Sequence, residues 1–587
     1  MARFLEPLRR GKKSGLQKFA VFDIETTGGL TGPFEMLGFY DGQNKEIFSS
    51  VKEFLDSVLV KSYRGYRFYA HNATRFDFQF IIDELLKMEI GEKMIEAVNG
   101  KVLRIDFLQA GDRIREIVIK DGSKHVFRMI DSFWLLPTSL KKAAESFAVE
   151  HQKTAIDYNK ISIWDKASKE YCLNDCVSLY EVLKAYFDQD AFKGLKPKGT
   201  VAANAMQIFR TKMTASMEQT APKVEDFIRR GYYGGRVEIF KLYGRGLNYY
   251  DFNSLYPYIM DSEAFPVGSP VWVDSFERGV PGFYHAEIDM PTSVNIPPLP
   301  VLKDSKLIFP VGKFTGYFVS CELEKAVELG ARVKIKRGVI FGRSERIFRK
   351  YVKYFYDMKR GAQPGSALYL ISKLYMNGLY GKFGQRREQS SIVRCGIEQA
   401  TEEGMTPYLP DLGLYTKGQR SRGTYIMPHI ASWVTAKARL KLYSVLKPDT
   451  HYCDTDSVFT PSTLPSDQSE LGALKFEKHI SEAIFLLPKF YALKTPDGLE
   501  VKAKGFGREF LTTVDFNDFK KGLAGNYAGF KVETRKLLGI KEGLRRFGRC
   551  PVVATARKSI KNAYTKRLVM PDLTTRPHEL NGYEVYL

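Results

Sequence analysis

Residues 452–459 read YCDTDSVF, with Asp454 and Asp456 one residue apart between a Tyr-Cys pair and a Val-Phe pair. The flanks read as strand ends, which predicts a tight turn on a β-sheet. Side chains two apart on a strand point to the same face, so the two carboxylates are expected side by side. At ~4 Å and an effective dielectric of about 20, two like charges repel by roughly 4 kcal/mol. A fold that keeps such a pair must hold it on a sheet and supply something to neutralise it. The surroundings sharpen the demand: 89 Lys and Arg stand against 67 Asp and Glu, a formal net charge of +22, which suggests a polyanionic partner.

A chain of 587 residues is too long for one hydrophobic core and should divide into about three or four domains. KFAVFDIETT (18–27) is a strand-like apolar run, and strand and helix patterns alternate from it to about 185, predicting an α/β domain. Gly, Pro and Lys concentrate in a linker at AFKGLKPKGT (191–200), and residues 201–230 read as helical. Short strands return from 236 to about 310. ERIFRKYVKYFYDMKR (345–360) and SALYLISKLYMNGLYGKF (366–383) read as two helices joined across GAQPG into an antiparallel hairpin. Residues 384–424 are polar, Gly-rich and weakly periodic. No run approaches the ~18 apolar residues of a membrane span. The first residues lack the apolar core of a signal peptide, and the six cysteines form no CxxC pair or zinc-like spacing. The expectation is a cytoplasmic protein, in the host cell if the genome is viral, with no membrane partner.

Other acids recur beside their own local signatures. VFDIET (21–26) puts Asp23 and Glu25 on one strand face. HNATRFDF (71–78) supplies Asp77, and YCLND (171–175) supplies Tyr171 and Asp175 one helical turn apart. YYDFNSLYPYIM (249–260) supplies Asp251 at a strand end, just before Ser254, Leu255 and Tyr256. Ionised carboxylates are rarely buried unpaired, and paired divalent ions ~3.5–4 Å apart turn repulsion into coordination. Oxygen ligands suit Mg²⁺, with Mn²⁺ as the other option. In KLYMNGLYGKFG (373–384), Lys373, Asn377 and Tyr380 fall on one helical face, offering a cation for phosphates, an amide, and a ring on which a base can stack. Ile371, Tyr375 and Leu379 share an apolar face, and Gly378 and Gly381 allow close approach.

In this order, the segments resemble family B DNA polymerases, and within them the protein-primed branch of small linear phage genomes. DIE, HNATRFD and YCLND resemble the three motifs of a proofreading exonuclease; DFNSLYP, KLYMNGLYG and YCDTDS resemble the polymerase A, B and C motifs. The resemblance implies an α/β and α+β multidomain fold: an RNase H-like 3′-5′ exonuclease domain (1–190), a helical linker with a YxGG motif (191–235), then a right-hand polymerase. Its palm would span 236–343, with a possible first insertion that docks a priming protein, and 425–500; its fingers 344–383; a second insertion for processivity and strand displacement 384–424; its thumb 501–587.

The same resemblance implies site roles. Asp251 and Asp456 would hold two ions, with Asp454 supporting or joining them; Asp23, Glu25, Asp77 and Asp175 would hold a second pair, with Tyr171 and Lys153 (of KTAIDY) on the attacking water and the phosphate. Ser254, Leu255, Tyr256, Lys373, Asn377 and Tyr380 would meet the nucleotide. DNA contacts would come from Tyr232, Gly234 and Gly235 of GYYGGR, Thr435 and Arg439 of TAKAR, Thr455, Lys489 and Tyr491 of PKFY, and Asn72, Phe76 and Ser132 beside the exonuclease. The implied partners of this expected monomer are primer-template DNA, dNTPs and a terminal protein. Two departures stand out: Gly378 replaces the family's usual Ser after Asn377, and one extra residue separates Asn72 from Asp77 compared with some phage members. A family B polymerase that extends ordinary primers fits the same motifs.

Overall fold

The computed structural model describes residues 3–11, 18–89, 104–111, 113–121, 124–421, 423–467, 469–560 and 563–584. Strand Phe19–Thr26 serves two faces, as its alternation requires. Phe22 and Ile24 share a core with helices Val51–Val58 and Asp77–Lys87, whereas Phe19 and Val21 pack on the opposite face with helix Lys166–Phe187. The strand pairs in parallel with Arg67–Ala70, which pairs in parallel with Lys124–Asp131. This is the α/β unit expected from the first 190 residues.

Its sheet continues into a later part of the chain. Beyond Lys124–Asp131 come Arg113–Asp121, Arg104–Ala110, Glu388–Arg394, Leu414–Arg420 and Thr406–Leu409. Ser391 to Arg394 pair antiparallel with Leu108 to Ile105. Arg104 Nη1 donates to both oxygens of Glu403 at 2.6 and 2.8 Å, and Lys417 closes on the same carboxylate. The described residues of 384–424 therefore form a β-hairpin arm rooted in the α/β unit. Its outer part, Glu388 to Ser390 against Gly418 to Arg420, is polar on both faces, which removes the alternation that would have announced strands.

A second, antiparallel sheet runs in the order Val237–Ile239, Tyr452–Asp454, Ser457–Thr460, Tyr243–Phe252, Leu474–Leu487, Phe490–Thr495 and Gly498–Ala503. The last of these places the expected palm boundary at 500 inside a sheet. Against this sheet packs Pro428–Tyr443, a helix buried on nearly every side. The expected helical hairpin is Arg349–Gly361 and Ala367–Gly378, turned at Gly365 (φ +89°) and locked by Phe355 stacked on Tyr375 at 5.4 Å. The second helix stops at Gly378, and Tyr380–Phe383 is a separate turn, so SALYLISKLYMNGLYGKF is two helices where one was expected.

A third sheet joins Val271–Val273, Arg332–Ile340, Gly282–Met290 and Val311–Val319 to Glu579–Glu584. The last residues described thus leave the expected thumb, because Leu580 buries in the core of this third sheet. Residues 504–560 include a hairpin, Lys531–Leu537 with Val553–Ser559, and helices, Ile540–Phe547 among them. Ile540 and Leu544 bury against the α/β unit, where Gln79 Nε2 donates to the Leu538 carbonyl at 3.1 Å. No helix among the described residues is long and apolar enough to cross a membrane.

Candidate active sites

Asp251 sits near the end of strand Tyr243–Phe252, directly opposite Ser457. The Phe252 amide donates to the Asp456 carbonyl at 2.7 Å, which brings the loop of YCDTDSVF against Asp251. Asp454 and Asp456 do not share one strand face, as their spacing predicted. Asp454 ends a strand, and Thr455 (φ +61°) and Asp456 form the two-residue turn, since Asp454 pairs with Ser457. The turn gives the two acids different surroundings. Asp454 is satisfied internally: Lys489 Nζ lies 2.7 Å away, and the hydroxyls of Thr455 and Tyr452 donate to it at 3.1 and 3.3 Å. Asp456 instead shares a cleft of about 480 Å³ with Asp251. Burial, then Asp456 and Glu477, push the Asp251 carboxyl up to about 7; burial and then Asp454 raise Asp456.

Ser254, Leu255, Tyr256, Lys373 and Asn377 line the same cleft, as expected. Tyr380 does not join their stripe, because the helix has ended; it stacks on Tyr256 at 4.6 Å from behind. Gly378 has a packing reason: a Cβ there would lie 2.8 Å from Val201 of helix Val201–Lys212, so the usual Ser would collide. Lys359, Arg360, Tyr369, Lys475 and Glu477 also face the cleft and were missed. For the first three, the available signal was the cationic, aromatic surface of the facing helices. Lys475 sits in register with Asp251 on the neighbouring strand, a pairing no single segment reveals.

The TAKAR residues are corrected by burial. Thr435 and Arg439 are each 3% exposed. Thr435 donates to the Ser432 carbonyl, and Arg439 grips both oxygens of Glu322 at 2.8 and 2.9 Å while donating to the carbonyls of Tyr233 and Gly234. Arg439 is thus a tie for the YxGG segment and has no surface to offer DNA. That segment leans on the acidic turn: a Cβ on Gly235 would lie 2.9 Å from Thr455, whereas Gly234 has nothing within 4 Å. Tyr232 packs against Gly384 at the root of the arm. Lys489 (φ +60°) is engaged by Asp454, and Tyr491 leans on Tyr452 at 5.5 Å.

In the α/β unit, carboxylate oxygens of Asp23, Glu25 and Asp175 lie within 4.8 Å of one another. Asp77 approaches without joining them, since its Oδ1 accepts the Ile24 amide at 3.0 Å. Burial, then Asp175, push Asp23 up to about 7; burial, then Asp23, push Glu25 up to about 9. Burial also raises Asp175 and Asp77. Lys153 pairs with Asp175 and lies over the Tyr171 ring at 5.1 Å; despite its burial, Asp175 and Asp23 raise its pKa. The Tyr171 hydroxyl meets that of Tyr158 at 3.2 Å, a residue missed although it stands in KTAIDY. Asn72 (φ +64°) is half-buried at the turn, and Phe76 is half-buried edge-on to Phe80 at 5.3 Å. Ser132, expected on the single strand, is fully buried and donates to the Ala70 carbonyl at 3.1 Å; it braces His71 from within.

The sequence model of the family described as DNA polymerase type B, organellar and viral, matches residues 60–166 and 162–406, more than half of the chain. The chain belongs to that family. Among its relatives are a probable DNA polymerase of Neurospora intermedia, 26% identical over 80% of this chain and 56% of its own length, and the DNA-directed DNA polymerase of Enterobacteria phage PRD1, 24% identical over 85% and 87%. Against its fungal relatives from Neurospora, Ascobolus and Podospora, the chain spans about half their length (56%, 46% and 49%). The phi29 DNA polymerase, solved with primer-template DNA and incoming nucleotides, superposes with a TM-score of 0.74 at 20% identity, over 93% of this chain and 100% of that one. The multidomain polymerase fold is therefore shared along nearly the whole family member described here.

Proposed function

We propose that this chain is a DNA-directed DNA polymerase with a 3′-5′ proofreading exonuclease, primed by a terminal protein and able to displace a strand as it copies a linear viral or plasmid genome. The observation that carries the reading is the presence, on one chain, of two separate acidic sites, each facing its own lysine: Asp251 and Asp456 with Lys373, and Asp23, Glu25 and Asp175 with Lys153. In domain terms, the α/β unit is read as an RNase H-like exonuclease, the antiparallel sheet as palm, the helical hairpin as fingers, and residues 504–560 as thumb. The family spans organellar and viral enzymes, so the expected host cytoplasm widens to include an organelle.

The acids fit divalent ions. Burial raises their pKa values, joined by mutual repulsion for Asp23, Glu25, Asp251 and Asp456, and Asp175 Oδ1 is buried with no hydrogen-bond partner, as a ligand atom in waiting would be. Asp251 and Asp456 would hold two Mg²⁺ at one site, and Asp23, Glu25 and Asp175 two at the other, with Asp77 bracing the strand between them. When bound, such ions lower the pKa of the attacking hydroxyl or water and offset charge on the phosphates. The protein does the remaining work. Lys373 meets the triphosphate and gains most as negative charge shifts toward pyrophosphate. Asn377 Nδ2 is already turned onto the Lys373 carbonyl at 2.9 Å, which fixes the amide on the cleft wall. Tyr256, backed by the Tyr380 ring, closes the cleft where the sugar would lie and excludes a 2′-hydroxyl by bulk. At the other site, Tyr171 orients a water and Lys153 holds the phosphate of a frayed 3′ end. A second hydrolytic site adds discrimination that pairing alone does not supply.

A basic groove of about 1030 Å³ runs between the α/β unit and the arm, lined by Arg113, Arg115, Arg128, Lys198, Lys382 and Arg386 among others. It suits a single template strand held by its phosphates, and the arm standing over it supports strand displacement. The decisive experiment extends a labelled primer on a single-stranded DNA circle with Mg²⁺, four dNTPs and no helicase. Products many circles long are expected. Arrest at one circle would overturn strand displacement and favour a conventionally primed enzyme; no extension at all would overturn the polymerase reading.

A further inference from the structure

The strand Val237–Ile239 is the outer neighbour of the acidic hairpin, with Val237 opposite Asp454, Glu238 opposite Cys453 and Ile239 opposite Tyr452. One residue earlier, the Arg236 carbonyl accepts the Thr455 amide at 2.7 Å, a direct hold on the turn that presents Asp456. This strand is the edge of its sheet, and an uncovered edge strand holds its register weakly.

The edge is covered by a segment more than 300 residues downstream. The Ile239 amide donates to the Tyr564 hydroxyl at 3.0 Å, and Lys566 Nζ donates to the Val237 carbonyl at 3.1 Å. The Thr575 hydroxyl donates to the Ile239 carbonyl at 2.8 Å. Between these contacts lies a buried ionic triad. Glu238 is 0% exposed; Arg236 lies 2.5 Å from it on one side and Arg567 3.5 Å from it on the other, each 1% exposed. Arg236 also donates to the Pro297 carbonyl, and Arg567 to the Asn295 carbonyl. A buried triad of this kind is a poor source of stability, because desolvating three charges offsets most of their attraction; its best-attested use is to fix register.

We propose that Tyr564, Lys566, Arg567 and Thr575 form a positioning clamp that sets the register of strand 236–239, and through it the placement of Asp454 and Asp456 in the polymerase site. None of the four residues lines the cleft, so they act through the strand. The inference rests on the polymerase reading above, and wild-type synthesis under the same conditions separates failure of that reading from failure of the clamp.

The test measures single-nucleotide addition as kcat and KM for dNTP, a Mg²⁺ titration, degradation of single-stranded DNA, and the melting temperature, for Arg567→Gln, Arg567→Lys and Tyr564→Phe. Arg567→Gln is expected to lower kcat about tenfold or more while KM stays within about twofold, with the Mg²⁺ midpoint raised about threefold. Arg567→Lys should recover part of the loss, and Tyr564→Phe should lower kcat by about two- to threefold. Degradation should hold, because the Phe22 face of the α/β unit has a core separate from the palm, whereas the melting temperature should fall for Arg567→Gln, which leaves Glu238 buried with one partner fewer. Unchanged kcat in all three variants would overturn the clamp. So would a parallel fall of synthesis, degradation and melting temperature, the mark of a merely structural segment. If Arg567→Gln does not fold, Tyr564→Phe decides alone, since it removes one hydroxyl and leaves the ions in place.

Discussion

The two acidic sites solve one electrostatic problem in opposite ways. Asp23, Glu25 and Asp175 crowd within 4.8 Å, and among the described residues the cation in direct contact with them is Lys153, paired with Asp175. Asp251 and Asp456 come from a strand end and a turn and face an open cleft rimmed by Lys373, Arg360 and Lys475; the third acid, Asp454, is neutralised from behind by Lys489. A dense cluster stores repulsion in the folded chain and waits for cations. An open cleft spreads its charge and leaves room for a large anionic substrate to bring compensation with it. The contrast teaches that proximity along the sequence is a weak guide: the acids two apart at 454 and 456 play different parts, whereas Asp175 joins Asp23 from 152 residues away.

The strongest way to break the contrast is to remove one acid from each site. Asp456→Asn should cut primer extension by about a thousandfold, ~4 kcal/mol at the transition state, and leave degradation of single-stranded DNA intact. Asp23→Ala should do the reverse. Loss of both activities in either folded variant would merge the two sites. Next in size is Lys373→Ala, expected to cost about a hundredfold in kcat/KM for dNTP, as for a charge-assisted contact to phosphate, with no effect on degradation. Smaller again is Asp454→Asn, expected at about tenfold in kcat, because Lys489 has already neutralised that carboxylate. A loss equal to that of Asp456→Asn would make Asp454 an equal metal ligand.

The mildest prediction concerns stability and pH. Asp23 and Asp251 are raised to about 7 and Glu25 to about 9, so without metal the folded chain keeps protons that the unfolded chain has released. Stability must then fall as pH rises through these values. The melting temperature in EDTA should decline by a few degrees from about pH 5 to about pH 8. Mg²⁺ should restore it at pH 8 and do little at pH 5, where protons hold the ligands. Asp23→Asn should flatten the slope more than Asp251→Asn, if crowding is the true difference between the sites.

Much of this was legible in the sequence. The α/β unit followed from the alternation around FAVFDIET, the helical hairpin from amphipathic runs split by Pro and Gly, and the two acidic centres from local signatures. What escaped depended on contacts between distant segments. The resemblance puts Arg439 of TAKAR on DNA, yet Glu322 draws it inward. Ser132 is a polar residue whose partners, His71 and the Ala70 carbonyl, lie some 60 positions away. Gly378 stands where Val201 of a distant helix comes close, and the path of 563–584 rests on Tyr564, Arg567, Thr575 and Leu580, buried against partners hundreds of positions away. The outer part of the arm, 388–390 against 418–420, was illegible as strands because both its faces are wet.

The arm's rooting has a consequence for taking the molecule apart. Strand Arg104–Ala110 has Arg113–Asp121 on one side and Glu388–Arg394 on the other. Excising residues 384–424 would leave Ile105 to Leu108 as an open edge with unpaired amides and carbonyls, the kind of border that recruits strands from other molecules. An α/β fragment made alone, or a variant shortened in the arm, should therefore be prone to self-association. Engineering would do better to leave the shared border sewn shut.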